Sequence, residues 1–298
     1  MLAICLKHKP DLLVGTDIVI THVGRLLGIK SVLLNEDDSK EVPLLARFGF
    51  RYANATLSPF VCDISPYNKK KVGYNGYHEL AYLHPSYFIP DRKKIEHLLH
   101  GSGRYFIIRF AKLSAHHDVG KKGIQKEVAV DLINALSPYG NVYITAERSL
   151  EPELEKYRID LDPADMHHAL YFADLYVGDS QTMAAEAAVL GTPSIRFNDF
   201  VGKVGYLEEL EHSYSLTYGI PTTEPERLLE KAREIVTTPS VKVLWGQRRK
   251  VMLDSSIDVA AFWIWFLEKF PESMKQVKED PRGVLGQFSF SGRSESHG

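Results

Sequence analysis

The feature that most constrains the fold is the run DLYVGDSQTMAAEAAVLGTPSIRF, from Asp174 to Phe197. It reads as a strand (residues 174–178), a helix of small residues (181–190) and a second strand (193–197). Strands that alternate with helices at this spacing are typical of parallel βαβ units. The run therefore predicts part of a parallel sheet with helices packed against it.

The same alternation extends through most of the chain, with shorter strand-like pieces at ATLSP and KKVGYNGYHELAYL. Further strands are predicted at residues 11–15, 30–35, 105–109 and 141–145, and further helices at 17–27, 41–48, 124–136, 164–172, 205–211, 224–236 and 257–270. The pattern over the second half predicts a nearly complete doubly wound sheet.

Proline and glycine punctuation in HPSYFIPDRKKIEHLLHGSG marks a domain boundary. We predict a first domain over residues 1–97 and a second over 98–254. A helix over 255–270 should pack back towards the first domain, because its aromatic residues need a large surface to cover them. Residues 271–298 form a polar tail that we expect to be disordered. The first domain opens with a helix tail and a strand that has no predecessor, so we expect it to be N-terminally incomplete.

Composition excludes several classes of protein. The 298 residues are 44% hydrophobic and 25% charged, which is ordinary for a globular chain, and the net charge of -2 disfavours nucleic acid as a partner. Cys5 and Cys62 show no metal-ligand spacing and are expected to be free thiols. No stretch approaches the roughly 18 apolar residues of a membrane span. We therefore expect a cytoplasmic protein without a transmembrane segment.

The turn between the strand and the helix of the opening run is the main candidate for a ligand site. Ligands of open parallel sheets bind at the carboxyl ends of strands, where helix starts offer free N–H groups to anions. Asp179 or Ser180 would cap the helix, and the hydroxyls of Ser180 and Thr182 can donate to an anion. Glu186, one turn beyond Thr182 on the same face, can accept from two ribose hydroxyls. An ordinary capped core helix explains the same residues, so spacing alone leaves both interpretations open.

The segment VGDSQTMAAEAAVLGTPSI resembles the nucleotide-diphosphate site of GT-B glycosyltransferases and of non-hydrolysing UDP-N-acetylglucosamine 2-epimerases, which runs Asp-Ser-Gly-Gly, then Glu, then Leu-Gly-x-Pro. Over about Lys9 to Phe270 the chain also resembles an uncharacterised prokaryotic family, domain of unknown function 354, through KPDLLVGTD, AHHDVGKKGI and DMHHALYFADLYVGDSQTMAAEAAVLGTPSIRFNDFVG. This resemblance implies a GT-B-like α/β fold, with two Rossmann-type doubly wound domains facing a cleft. The chain departs from the epimerases at Gln181-Thr182, where they have two glycines, and lacks their Thr-Glu-Arg-Pro-Glu signature.

The resemblance also implies roles for individual residues. It makes Ser180 a diphosphate contact, with Gln181 and Thr182 in the same turn, and Glu186 the ribose acceptor. Arg109, at the carboxyl end of a strand, resembles the arginine of the epimerases' His-Arg motif and would contact a second phosphate oxygen. A plain surface cation is the alternative interpretation of Arg109.

Candidate acid and base groups lie in three loops. His117, tuned by Asp118, is a candidate general base, and a metal is disfavoured because adjacent histidines project apart. Asp17 and Glu36 follow strands of the first domain and resemble in position the acidic residues of the epimerases' first domain. The alternatives are that Asp17 caps a helix and that Glu36 belongs to a solvated acidic loop. His167 and His168 either pack or border the nucleotide base.

The leading functional hypothesis is a metal-independent glycosyltransferase that uses a nucleotide sugar, expected to be UDP-linked, and needs no other cofactor. Its acceptor would be a glycan or lipid-linked molecule, as in polysaccharide biosynthesis. The alternatives are a sugar-nucleotide 2-epimerase and a non-catalytic nucleotide-sugar-binding module. Peripheral contact with a membrane and a homodimer remain open from the sequence.

Overall fold

The computed structural model of the protein describes residues 1–100, 103–111 and 123–290. Two compact units make up the fold. Unit 1 comprises Met1–Ala81, Lys203–Tyr206 and the chain from Leu253 onward, and unit 2 comprises Tyr82–Gly202 and Leu207–Met252. Each unit is built on its own parallel sheet, so the prediction of an α/β fold with two Rossmann-like domains is confirmed.

Four parallel strands form the sheet of unit 1, in the order of the chain. They are β1 (Leu12–Gly15), β2 (Lys30–Leu34), β3 (Ala55–Pro59) and β4 (Lys71–Tyr74). Val32, Leu33, Ala55 and Leu57 are fully buried. The two central strands are therefore covered on both faces, as expected where crossover helices connect parallel strands.

The helices of the first half of unit 1 are α1 (Leu2–His8), α2 (Ile18–Leu27) and α3 (Pro43–Leu45), which continues into a π-helical turn at Ala46–Phe50. Cys5, Leu13, Ile20 and Phe50 meet in one buried cluster. Both cysteines are buried and free, as predicted. The helices that follow are α4 (Leu80–Leu83), α5 (Lys126–Leu136), α6 (Met166–Phe172), α7 (Gln181–Leu190), α8 (Gly205–His212), α9 (Pro225–Thr237), α10 (Val241–Ser255) and α11 (Val259–Glu268).

The aromatic helix α11 belongs to unit 1. Asp258 caps it by accepting from the Ala261 N–H at 2.9 Å. Phe262 is fully buried, and the rings of Phe262 and Trp263 lie 5.9 and 6.0 Å from that of Tyr74 at the end of β4. The surface that this helix needs is therefore provided by the edge strand β4.

The chain after Pro271 differs from the expectation of a disordered tail. Two helices follow, α12 (Glu272–Glu279) and α13 (Pro281–Gly286). Phe288 packs edge-on against Phe262 at 5.4 Å. A polar stretch with few apolar residues reads as a tail, but its few apolar side chains are covered. The buried ones are Val277, Val284, Leu285 and Phe288.

The division between the units also differs from the predicted boundary after residue 97, since unit 2 already begins at Tyr82. Residues between the two positions are tied to unit 2. The Asp91 N–H donates to His168 Nδ1 at 3.0 Å, and His97 Nε2 lies 2.6 Å from the Asp160 carbonyl oxygen. Proline-rich punctuation shows where regular structure stops, but not which sheet the irregular segment covers.

Unit 2 contains a five-stranded parallel sheet in the order β6-β5-β7-β8-β9. Its strands are β5 (Tyr105–Phe110), β6 (Asn141–Ala146), β7 (Leu175–Gly178), β8 (Ser194–Phe197) and β9 (Thr217–Ile220), of which β9 was not predicted. The chain moves from β5 to β6 on one side and then returns to β7 on the other. The strand order thus reverses between β5 and β7, which makes a topological switch point. Among the described helices, none is long and apolar enough to cross a bilayer.

Candidate active site

The switch point of unit 2 brings two predicted segments together. Arg109 on β5 lies in register with Gly178, the last residue of β7. A Cβ atom at Gly178 would overlap the Tyr176 hydroxyl and stand 2.9 Å from Arg109 Cβ. A side chain there would displace the Tyr176 ring or Arg109, so the close packing at this position depends on glycine.

Helix α7 begins directly after β7 and is the helix start predicted from the sequence. Ser180 has extended backbone angles and its Oγ accepts from the Met183 N–H at 3.3 Å, which makes it the N-cap. The Ser180 hydroxyl hydrogen remains able to donate. Gln181 is half-buried and Thr182 is exposed. The first turn of α7 thus retains N–H groups and hydroxyls of the kind that bind anions.

Asp179 precedes this helix and is only 3% exposed. Its carboxylate accepts from the Ala111 N–H at 2.6 Å and from the Ile124 N–H at 3.2 Å, on either side of residues 112–122. Burial raises the pKa of Asp179 from 3.8 to about 6, although the two backbone donors favour the ionised form. Asp179 therefore ties the backbone at Ala111 and at Ile124 to the end of β7, next to the site.

Arg109 is held against the neighbouring strand. Its Nη1 donates to Thr145 Oγ1 at 2.8 Å, and its Nη2 forms an ion pair with Glu147. The Arg109 side chain is 13% exposed, and its buried Nε has no hydrogen-bond partner among the described residues. With respect to the described residues, the Nε of Arg109 is therefore free to donate to a ligand, whereas a phosphate would have to displace Glu147 from Nη2.

Glu186 is oriented by two side chains. Its Oε1 accepts from the Tyr82 hydroxyl and contacts His167 Nε2, both at 3.0 Å. The ring of Tyr82 also lies 5.6 Å from that of His167. The ring of His168 instead packs against that of Phe88 at 4.9 Å, so it is the packing histidine of the pair. The second carboxylate oxygen of Glu186 is the one that could accept from a ligand.

Arg109 and Glu186 line one cavity of about 480 Å³ within unit 2. Its polar wall also contains Thr145 and His167, and the described residues Ser180, Gln181 and Thr182 stand at the helix start rather than in the lining. Arg158 also lines the cavity, and most of the remaining lining side chains are large and apolar. These are Ile144, Ile159, Leu161, Pro163, Met166 and Met183. A cavity with an apolar wall and few convergent polar groups is the usual form of a small-molecule site.

The candidate groups of unit 1 have different surroundings. Asp17 is exposed, and its carboxylate caps α2 by accepting from the Val19 N–H at 2.7 Å. This contact matches the interpretation of Asp17 as a helix cap. Glu36 accepts from the His78 N–H at 2.5 Å, and its side chain is 11% exposed. Burial, with a contribution from Glu79, raises the pKa of Glu36 well above its ordinary value. Glu36 is therefore a carboxyl that can hold a proton, and not part of a solvated loop.

His78 is the partner that sequence reasoning did not identify. Burial lowers the pKa of His78 to about 3, so its imidazole is neutral, and its ring packs at 4.8 Å against Trp263 of α11. His117 and Asp118 lie outside the described residues. The prediction that His117 is a general base therefore stays a prediction.

A cluster of two glutamates and a histidine on α8 has a structural explanation. Glu208, Glu211 and His212 bring one ligand atom each within 4.8 Å of one another. The fully buried Arg196 of β8 pairs with Glu208 at 3.2 Å and with Glu211 at 2.6 Å. The two carboxylates therefore serve as counter-ions to a buried arginine.

A scan of the sequence against protein-family models gives no match, and a search of curated proteins gives no significant match. Membership of the domain of unknown function 354 family stays a prediction. Solved structures do match the fold. A complex of S. aureus MnaA with UDP has a TM-score of 0.60 at 12% identity, over 92% of this chain and 80% of that one.

Two further solved structures are similar. The UDP-GlcNAc 2-epimerase from Methanocaldococcus jannaschii has a TM-score of 0.54 at 14% identity, over 84% of this chain and 79% of that chain. The spinosyn rhamnosyltransferase SpnG, solved with spinosyn aglycone, has a TM-score of 0.52 at 14% identity, over 90% and 76%. The chain therefore has a GT-B-like fold of two Rossmann-like units, similar to that of glycosyltransferases and UDP-GlcNAc 2-epimerases.

Proposed function

We propose that the chain is a glycosyltransferase that binds a nucleoside-diphosphate sugar, of which UDP sugars are the first to test, at the switch point of unit 2. The observation that carries the proposal is that Arg109, Glu186 and Met183 line one cavity, and Met183 lies in the first turn of α7, where its N–H is capped by Ser180. This arrangement places donors for an anion beside an acceptor for ribose hydroxyls, and solved structures with UDP or UDP-GlcNAc bound have a similar fold.

The diphosphate is assigned to the first turn of α7. The helix contains 10 residues, and its free N–H groups and partial positive charge favour an anion. The Ser180 hydroxyl can donate while its oxygen keeps capping Met183. As the sugar leaves, charge develops on the diphosphate, and these fixed donors stabilise it without a metal.

The nucleoside is assigned to the cavity. Glu186 accepts from the ribose through its second carboxylate oxygen, while Tyr82 and His167 hold the first. The apolar wall made by Ile159, Leu161 and Pro163 suits a flat base. The helix start, the carboxylate and the apolar lining residues thus offer partners for the diphosphate, the ribose and the base respectively.

A sugar-nucleotide epimerase is the second candidate function. Such a reaction needs groups that release and take up protons, and Glu36 is a buried carboxyl with a raised pKa. In either reaction we assign Glu36 as the acid or base of unit 1. Glu36→Gln should then abolish turnover while UDP binding in unit 2 is unchanged.

Titration calorimetry with UDP, and with ADP and GDP as competitors of different base, tests the proposed site. We expect saturable binding of UDP that Glu186→Ala weakens. Product analysis with UDP-GlcNAc then separates the functions, since transfer requires an acceptor and epimerisation does not. The absence of binding to any nucleoside diphosphate would contradict the proposal, and binding without turnover would leave only the non-catalytic module.

Ser180→Ala should weaken UDP binding by about 1 to 2 kcal/mol, because it removes one hydrogen bond to a charged group. The variant also removes a helix cap. Ser180→Gly is the matched control, since glycine keeps most of the capping stability and lacks the hydroxyl. Calorimetry should show the same loss of affinity for both variants, whereas unchanged affinity in Ser180→Gly would exclude a contact from the hydroxyl.

Glu186→Gln should remove the discrimination between UDP and 2′-deoxy-UDP. The amide keeps the shape of the side chain but replaces one acceptor oxygen by a donor. A 2′-hydroxyl then adds little binding free energy compared with the hydrogen atom of the 2′-deoxyribose. The ratio of the two dissociation constants is the measurement. A ratio equal to that of the unmodified chain would assign the ribose to another residue.

Glu147→Gln should strengthen UDP binding about threefold to tenfold, because the ion pair that competes for Arg109 is lost. Arg109→Gln should weaken binding, and in its presence Glu147→Gln should have no effect. This double-mutant cycle isolates the competition from any change elsewhere. A Glu147→Gln variant with unaltered affinity would show that Arg109 does not contact the diphosphate.

A further inference from the structure

An exposed face of unit 1 combines apolar and basic side chains. It is formed by α2, α3 and the π-helical turn, and we call it the basic apolar face. Four of its apolar side chains are unusually exposed for their size. They are Val19 at 47%, Leu26 at 71%, Leu44 at 50% and Phe48 at 38%.

The basic members of the face are held together by Tyr52. Arg25 and Arg51 stand over its ring at 5.1 and 5.7 Å, and the His22 ring lies 5.0 Å away. Arg47 covers the ring of Phe48 at 5.4 Å. The cations are thus interleaved with the exposed apolar groups on a single surface.

No acidic side chain offsets this charge within residues 18–27 and 43–52. The nearest acids along the chain are Asp17, whose carboxylate caps α2, and Glu41 before α3. Within the described part of the chain, Arg25, Arg47 and Arg51 form no ion pair with a carboxylate. The face is therefore locally cationic in a chain whose net charge is -2.

We propose that the basic apolar face docks onto the surface of an anionic lipid bilayer. Arginines attract anionic headgroups. Exposed leucine and phenylalanine side chains are stabilised when they leave water, which they can do at the boundary between headgroups and acyl chains. A polyanion in solution would use the arginines but leave the apolar side chains in water. A bilayer satisfies both halves of the face. This inference does not depend on the nucleotide site of unit 2.

Flotation of the full chain with lipid vesicles tests the proposal. We expect binding to phosphatidylcholine vesicles that contain phosphatidylglycerol, weaker binding at high salt, and none to phosphatidylcholine alone. Arg47→Gln and Arg51→Gln should each lower the partition constant about fivefold. Leu26→Ser combined with Leu44→Ser should lower it at least about tenfold.

Exposed positions on unit 2 provide matched controls, namely Arg233→Gln on α9 and Val243→Ser on α10. Neither should change flotation, and circular dichroism melts should show that the variants of unit 1 remain folded. The proposal is overturned if the chain binds neither kind of vesicle, or if the control variants reduce binding as much as the face variants do. Binding to dextran sulfate without binding to vesicles would equally overturn it, in favour of a soluble polyanion.

Discussion

Arg196→Met should lower the free energy of unfolding by about 3 kcal/mol, at the lower end of the cost of breaking a buried ion pair. Arg196 is fully buried, and Glu208 and Glu211 are left without their counter-ion when it is removed. Two effects oppose each other. The buried Nε and Nη1 of Arg196 have no partner among the described residues, so removing these groups stabilises the fold. Leaving Glu208 and Glu211 unpaired destabilises it, because their side chains are only 24% and 15% exposed.

Urea unfolding of the chain, followed by circular dichroism, measures this change. The triple variant Arg196→Met, Glu208→Gln, Glu211→Gln should recover most of the loss, because no unpaired charge remains. The amide oxygen that Glu211→Gln introduces can still accept from the Gly219 N–H, as the Glu211 carboxylate does. Equal free energies of unfolding for Arg196→Met and the unmodified chain would contradict this prediction. They would mean that the cost of burying the unpaired Nε and Nη1 equals the gain from the two ion pairs.

The second large effect is the pH dependence that Asp179 adds to stability. The pKa of Asp179 is raised in the folded state, from 3.8 to about 6, because burial disfavours the ionised carboxylate. The contribution of Asp179 to the free energy of unfolding is therefore fully present below about pH 3.8, where the carboxyl is protonated in both states. It is lost as the pH rises through 6. The full change amounts to about 3 kcal/mol, at about 1.36 kcal/mol for each unit of pKa.

Comparison with Asp179→Asn isolates this group from the other titrating residues. The stability of the unmodified chain relative to Asp179→Asn should fall by about 3 kcal/mol between about pH 4 and pH 7. The amide also loses one of the two bonds from Ala111 and Ile124, but that loss is a constant offset and does not vary with pH. Parallel pH profiles for the two proteins would show that Asp179 titrates near its ordinary value.

The local geometry of the candidate site residues at α7 could be predicted because these residues are close in sequence. Ser180 caps the helix on which Glu186 lies, and helical geometry fixes their separation once the helix is recognised. The cap formed by Asp17 on α2 follows from the same local rules. Where a role depends on neighbours within a few residues, one sequence contains the necessary information.

The partners of those residues could not be predicted in this way. Glu147 meets Arg109 only because β6 pairs with β5 in a register that puts Thr145 opposite Arg109. Tyr82 reaches Glu186 from a segment 104 positions earlier in the chain. No periodicity encodes such contacts, which depend on strand order and on the path of an irregular segment.

Local patterns were enough to establish the α/β class, the positions of most strands and helices, and the helix start on which the proposed site is built, because apolar periodicity and capping act over one or two turns. Long-range packing alone fixed three other features. The strand order reverses between β5 and β7, Glu36 is buried beside His78, and α12 and α13 fold where a tail was expected. These outcomes depend on which surfaces remain to be covered once the sheets have formed. Burial of apolar area between distant segments, rather than local preference, makes that choice.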